Sequence, residues 1–269
     1  MKPFKLLDEK AIRHELLNNH FHEPIDCHLL VSIDSTNQFL KDLPRSAEIT
    51  MCCAEVQTHG RGRFGRHWHS PFGENIYVSF RRLMDCCHSR LSGLSLVVSL
   101  AIVATLDELG ISEDIRVKWP NDVQWLDKKL CGSLIEVTTE HHEETAVIIG
   151  IGLNVNSRAS EHPLRNAAWC SLLDITGQMY DRNKVLAHLI IQLNKAMKTF
   201  LSTGFSAFAE FWKSVDYLYG LPITVTQRAG TIQGIAQGVT EAGLLILIDD
   251  FGKRHELSSG DTSLQPQLG

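Results

Sequence analysis

Between Ile115 and Leu153 the chain carries four strand-like runs in succession, around Ile115 to Trp119, Val123 to Leu126, Leu130 to Thr138 and Thr145 to Leu153. The middle pair is joined by Asp127-Lys128-Lys129, a short polar turn, and reads as a hairpin. That block puts a sheet in the middle of the chain, and helical patterns stand on both sides of it. Upstream, Leu91 to Leu109 is an apolar helix stopped by Gly110 at a C-cap position. Downstream, Asp181 caps a long helix. Its apolar residues Leu186, Leu189, Ile190, Leu193, Met197 and Phe200 repeat at helical spacing, so one face is buried. Gly204 breaks that helix, and Phe205 to Val215 forms another.

Nearer the N-terminus, Asp8 to His20 reads as a short helix, Leu29 to Ile33 as a strand, and Thr36 to Leu43 as a short helix ended by Pro44. Thr50 to Val56 and Asn75 to Arg81 are further strands. Beyond Tyr219-Gly220 the pattern changes to short β runs, Ile223 to Thr226, Thr231 to Val239 and Leu244 to Ile248, with glycine turns and no helix. Such a run suggests a small β-barrel. The chain therefore divides near residue 218, into units of 1–217 and 218–269.

Composition excludes several classes. Hydrophobic residues at 43% and charged residues at 21% are ordinary globular usage with enough material for a core. The net charge of −5 supplies no broad basic field, so a DNA-binding surface is not expected. The longest uncharged stretch, Leu91 to Leu106, is interrupted by serines and a glycine and falls short of the roughly 20 apolar residues of a membrane span. No secretory signal opens the sequence, and the seven cysteines are odd in number and lack C-x-x-C spacing. They point to a reduced cytoplasmic compartment, with thiols acting as small core residues. No cysteine stands at ligand spacing from His67/His69 or His141-His142, so no structural metal site is expected.

Chemistry concentrates in a few segments. Gly60-Arg61-Gly62-Arg63-Phe64-Gly65-Arg66, followed by His67-Trp68, packs three arginines into six residues. They repel one another unless an anion joins them, and guanidinium groups pair well with phosphate and carboxylate oxygens. Taken alone, the segment also suits a solvated loop or an RNA-contacting Arg-Gly stretch. Ser35-Thr36-Asn37 follows a strand and opens a helix, where it caps, and where it also aims hydroxyl, amide and free N–H groups at a pocket. Lys118-Trp119-Pro120-Asn121-Asp122 holds a lysine, an indole and two polar side chains around a proline, and Lys129 stands at a strand edge. Gly150-Ile151-Gly152-Leu153-Asn154 resembles a nucleotide loop without the third glycine of a dinucleotide fingerprint. No P-loop sequence is present.

In order and spacing, Ser32 to Asn37, Ala54 to Gln57, Gly60 to Arg66, Trp68 to Pro71, Asn75 to Tyr77, Lys118 to Asp122, Lys129-Leu130 and Gly150 to Asn154 resemble the biotin–protein ligase family. The resemblance runs from about residue 25 into the C-terminal β unit. It implies an α+β fold, a mixed and mainly antiparallel sheet packed with helices like a class II aminoacyl-tRNA synthetase, plus a small C-terminal SH3-like β-barrel. It implies ATP-dependent formation of biotinyl-5′-AMP, with ATP and biotin as substrates and Mg²⁺ as the ion. Transfer of biotin to a lysine of a biotin carboxyl carrier protein then follows. Ser35, Thr36, Asn37 and Gln57, with Gly60, Arg61, Gly62, Arg63 and Lys129, are the implied biotin contacts. Arg66, Trp68, Asn121 and Asn154 fall on the nucleotide side. Arg63, Lys129, Asp122 and Lys118 are the implied catalytic group. Some family members carry an N-terminal winged helix-turn-helix. This chain begins about where that domain ends, so a monofunctional enzyme is expected, with a homodimer possible through the sheet edges. Lipoate or octanoate transfer on a related fold is the alternative chemistry, and an RNA-binding module the alternative class.

Overall fold

The computed structural model describes residues 5–44, 47–84, 91–139, 145–161, 168–228 and 230–265. A first sheet of seven strands is built from β1 (Asp26–Ile33), β2 (Ile49–Gln57), β3 (Ile76–Met84), β4 (Ile115–Lys118), β5 (Asp122–Trp125), β6 (Lys128–Thr139) and β7 (Thr145–Leu153). Their spatial order is β1-β2-β3-β7-β6-β5-β4. Only β1 and β2 run parallel, and the helix α2 (Thr36–Asp42) makes the crossover between them. Every other neighbouring pair is antiparallel. The mixed, mainly antiparallel sheet implied by the sequence is thus the one observed.

Strand alternation divides this sheet into two unlike faces. Ile76, Val78 and Phe80 of β3, with Val147, Ile149, Ile151 and Leu153 of β7, point into the main core. There they meet α3 (Leu94–Glu108) and α5 (Arg182–Thr203). α3 is buried almost all round, as its largely apolar sequence requires, with Ser99 and Thr105 bonded back to the helix carbonyls of Ser95 and Ala101, and ends in a Schellman turn. Gly110 sits at φ 77°, and Ile111 N–H reaches back to the Leu106 carbonyl at 2.9 Å. α5 is capped by Asp181, which accepts from Asn183 N–H, and buries the predicted stripe from Leu186 to Phe200. The opposite face carries the alternate residues, Tyr77 and Ser79 of β3, Gly150 and Gly152 of β7, and Gly132, Leu134 and Glu136 of β6. α2 covers one end of it, packing Leu40 on Cys52 and Ile148.

The β5–β6 hairpin, toward the β4 edge of the sheet, is tighter than its sequence suggests. Its turn is Leu126-Asp127, at φ 43° and 65°, the pair of positive φ values that a two-residue connection between twisted strands needs. Lys128 and Lys129 therefore lie in β6 and not in the turn. The Phe205 to Val215 helix begins as a 3-10 turn, Phe205–Phe208, before α6 (Ala209–Val215). A short helix α4 (Leu172–Thr176), held by a Ser171–Asp174 capping box, has no counterpart in the expectation.

The C-terminal unit is a five-stranded antiparallel sheet in the order β11-β10-β9-β8-β12, the expected SH3-like architecture. Its strands are β8 (Pro222–Gln227), β9 (Gly230–Val239), β10 (Leu245–Ile248), β11 (Arg254–Leu257) and β12 (Asp261–Leu264). The last two lack an apolar alternation, each burying a single residue, and were not expected as strands. The unit sits against α3, where Ser92 Oγ donates to the Ala242 carbonyl at 2.7 Å. Among the described residues no helix is long and apolar enough to cross a membrane. Cys86-Cys87 and His141-His142 lie outside the described residues.

Candidate active site

The polar face of the first sheet is floored by glycine. Gly132 and Gly152 pair directly across β6 and β7, and Leu134 pairs with Gly150 one step along. Backbone without Cβ leaves a trough, and two side chains lie in it. A Cβ on Gly152 would stand 2.6 Å from Trp68 Nε1 and Cζ2, and one on Gly132 3.2 Å from Trp68 Cζ3 and 3.1 Å from Lys129 Nζ. A Cβ on Gly150 would overlap Asn37 Oδ1. Three glycines thus seat the two halves of the site side by side.

One half grows from the start of α2. Ser35 caps the helix, accepting from Gln38 N–H, and Ser35, Thr36 and Asn37 are all buried. Thr36 donates from its main-chain N–H at 3.0 Å and its hydroxyl at 3.1 Å to Gln57 Oε1 at the end of β2. Gln57 Nε2 then donates to Ser70 Oγ at 3.3 Å, and Ser70 donates to the Trp68 carbonyl at 3.3 Å. From the sheet side, Ser79 Oγ lies 2.7 Å from Thr36 Oγ1 and 2.5 Å from Asn37 Oδ1. Asn37 Nδ2 donates to Glu136 at 2.8 Å, and Lys41 pairs with the same carboxylate at 2.5 Å. Burial pushes the Glu136 carboxyl up, but the Lys41 ammonium and the Asn37 amide outweigh it and hold it below its ordinary range.

The second half is cationic. Gly60 to Trp68 forms a narrow hairpin of its own, closed by Trp68 N–H to the Gly60 carbonyl at 2.8 Å and an Arg61–His67 bridge. Its tip turns at Phe64 and Gly65, both at positive φ. Arg63 donates to Asn121 Oδ1 at 3.3 Å, and Lys129 pairs with Asp122 at 2.8 Å. Consecutive residues of the turn between β4 and β5 therefore gather a guanidinium and an ammonium from two distant segments. Lys129 Nζ also lies 5.3 Å above the Trp68 ring, the cation–π position that joins this half to the indole on the glycine floor. Lys118 pairs in register with Asp122. Burial lowers the pKa of both Arg63 and Lys118, which marks two cations held where water solvates them poorly and an anion would relieve the cost.

Not every expected residue converges. Arg61 turns outward and donates to Gln38 Oε1 at 2.8 Å. Arg66 is exposed and pairs with Asp261 of the C-terminal unit. The Asn154 amide nitrogen is spent on the Cys170 and Lys129 carbonyls, at 3.0 and 3.4 Å, while its Oδ1 is buried with no partner among the described residues. Trp68 Nε1 and Ser133 Oγ are likewise buried and unpartnered there. Such orphans are rare in a finished core, and a bound polar ligand or an ordered water would satisfy them. Ser79, Glu136 and Asp261 take part in the site without belonging to any motif, and Ser70 does so from within the Trp68 to Pro71 motif without having been named as a site residue. The sole sign of Ser79 and Glu136 in the sequence is polarity inside otherwise apolar strands.

Among the described residues no cluster of His, Cys, Asp or Glu could hold a metal ion by itself. What the arrangement can do is hold an anion pair. Cations line one side, and a neutral row of hydroxyl and amide groups the other.

Known proteins share this framework. The biotin/lipoate A/B protein ligase family model matches residues 29–154, and the biotin protein ligase C-terminal domain matches residues 220–264. The bifunctional ligase/repressor BirA of Salmonella typhimurium is 36% identical, over 93% of this chain and 76% of its own length. The biotin–[acetyl-CoA-carboxylase] ligase of Mycobacterium tuberculosis is 30% identical, over 95% and 94%. The structure of the Aquifex aeolicus biotin protein ligase in complex with biotin and ATP superposes with a TM-score of 0.75 at 31% identity, covering 89% of this chain and 98% of that one. With identity of that extent laid over a matching sheet and C-terminal unit, the chain belongs to the biotin protein ligase family.

Proposed function

We propose that this protein activates biotin with ATP to biotinyl-5′-AMP and then transfers the biotin to a lysine of a biotin carboxyl carrier protein. The observation that carries the reading is the meeting of Arg63 and Lys129 at Asn121-Asp122, beside an indole that shares its glycine floor with Asn37. The first step brings a carboxylate against an α-phosphate and expels pyrophosphate. Two anions brought together repel by several kcal/mol at low effective dielectric, about 4 kcal/mol at 4 Å, so cations must be placed beforehand. Arg63, Lys129 and Lys118 fill that role. No nucleophilic side chain is required.

On this reading Ser35, Thr36, Asn37 and Gln57 recognise the ureido ring, and Gly60, Arg61, Gly62, Arg63 and Lys129 enclose biotin and its activated carboxylate. Arg66, Trp68, Asn121 and Asn154 hold the nucleotide. Mg²⁺ would neutralise charge on the triphosphate. Asp122 would hold it through its carboxylate. On the same reading Asp122 takes the proton released by the attacking lysine amine in the second step. The cytoplasm is the compartment in which such a carrier and reduced thiols coexist, and a homodimer on this reading would use the β1 edge of the first sheet, where Val31 and Ser32 are exposed, since Asp216 and Tyr217 already line β4.

Pyrophosphate release from ATP, measured with biotin and with lipoate supplied separately, tests the reading. Biotin alone should support release, and biotinyl-5′-AMP should accumulate until a carrier is added. Release with lipoate only would replace the substrate assignment; release with neither would overturn the ligase itself.

A further inference from the structure

The Lys41–Glu136 pair lies at the far end of the polar row from the arginine hairpin, and the mechanism above makes no use of it. We propose that Glu136, held by Lys41, is a positioning residue that fixes the direction of the Asn37–Ser79–Thr36 hydrogen bonds and so keeps Thr36 an acceptor for a ureido N–H. The inference rests on the biotin reading given above.

The direction follows from counting protons. A carboxylate at Glu136 only accepts, so Asn37 must present its NH₂ there, at 2.8 Å, and turn Oδ1 to Ser79. An amide oxygen also only accepts, so the single Ser79 proton goes to Asn37 at 2.5 Å. Ser79 Oγ then meets Thr36, 2.7 Å away, as an acceptor. The Thr36 proton passes to Ser79 or to Gln57 Oε1. The Thr36 main-chain N–H, which Gln57 Oε1 accepts at 3.0 Å, separately orients the Gln57 amide with Nε2 toward Ser70. Among the described residues this leaves a lone pair on Thr36 Oγ1 and one Gln57 Nε2 proton uncommitted. An acceptor beside a donor is the complement of one N–H and the carbonyl of a urea. Asn37 and Ser79 are buried, so no water can reset the order. Replacing the carboxylate by an amide removes the constraint, because an amide at 136 can donate to an overturned Asn37. The row can then run backwards and present a proton at Thr36.

The test compares biotin with its cyclic carbamate analogues, in which a ring oxygen replaces one ureido N–H and puts an acceptor where biotin carries a donor. Dissociation constants are measured by calorimetry on the full chain, wild type and Glu136→Gln, together with the KM for ATP. The expected result is biotin binding weakened at least ten-fold in the variant. For the carbamate whose ring oxygen faces Thr36, the carbamate-to-biotin ratio of dissociation constants should fall at least five-fold, with the KM for ATP unchanged. A merely structural loosening weakens both ligands alike and leaves the ratio in place, and that outcome overturns the inference, as does an unchanged biotin constant. Ser79→Ala cuts the row at its centre without adding bulk and must lower the same ratio, which supplies the test should Glu136→Gln fail to fold. A wild-type protein that binds no biotin defeats the functional reading instead.

Discussion

A glycine can be a ligand-site residue without touching a ligand. Gly132, Gly150 and Gly152 let Trp68 and Asn37 lie flat on the sheet, and a methyl group at 152 would stand 2.6 Å from the indole. Gly152→Ala must therefore lift the ring. Overpacking of this kind costs about 1–3 kcal/mol, and the indole is only half-buried on the open face of the sheet, so the cost should appear in ligand binding more than in folding. The KM for ATP is expected to rise roughly ten-fold, with the melting temperature within about 3 °C of wild type, the shift that ~1 kcal/mol gives in a chain of this size. An unchanged KM would mean that Trp68 is not part of the nucleotide side. At this scale the sequence was legible wherever a residue type is unusual for its setting, as in the arginine hairpin or Lys118 to Asp122. It was silent about Ser79 and Glu136, whose roles come from facing Asn37 across two strands. Nothing local distinguishes a serine in β3 that caps a hydrogen-bond row from one that merely fills space.

Elements bounded by local signals were readable. α3 and α5 end where Gly110 and Gly204 take positive φ, and α5 starts at the Asp181 cap. Pairing was not readable, because β3 lies between β2 and β7, and the long run of chain from Met84 to Thr145 cannot announce which strand returns. What fixes α5 to the sheet is a buried ion pair, Arg182 to Glu55 of β2 at 2.6 Å, with both side chains under 5% exposed. Arg182 also donates to the Asn75 and Lys5 carbonyls, and Glu55 accepts from Leu7 N–H. Removing one partner strands a charge in the core. Glu55→Leu alone is expected to lower unfolding free energy by about 3–5 kcal/mol, measured by urea denaturation. The double replacement Glu55→Leu with Arg182→Met should recover part of that loss, since no lone charge remains. It should not recover all of it, because the Lys5, Leu7 and Asn75 main-chain groups lose partners of their own. A double variant as weak as the single one would show that the pair's field, and not its desolvation, governs this junction.

Across the whole molecule, the C-terminal unit reaches the site through β12, one of the two strands the sequence concealed. Two contacts do this, and their surroundings rank them. Asp261 pairs with Arg66 of the hairpin, but the Arg66 side chain is 66% exposed, and exposed pairs contribute about 0–1 kcal/mol. Its neighbour Thr262 is buried and donates to the Trp119 carbonyl at 2.9 Å, inside the turn that presents Asn121 and Asp122. Leaving a buried acceptor without its donor costs about 1–3 kcal/mol. Thr262→Val keeps the shape and removes that donor, so it should loosen the Asn121-Asp122 turn on which Arg63 and Lys129 converge. Adenylate formation in a single turnover is expected to slow about ten-fold in Thr262→Val and less than about five-fold in Asp261→Asn, with the latter difference fading at high salt. The order matters more than either value. If Asp261→Asn is the more damaging at any ionic strength, the C-terminal unit acts on the hairpin through Arg66, and the hydrogen bond beneath the turn is only packing.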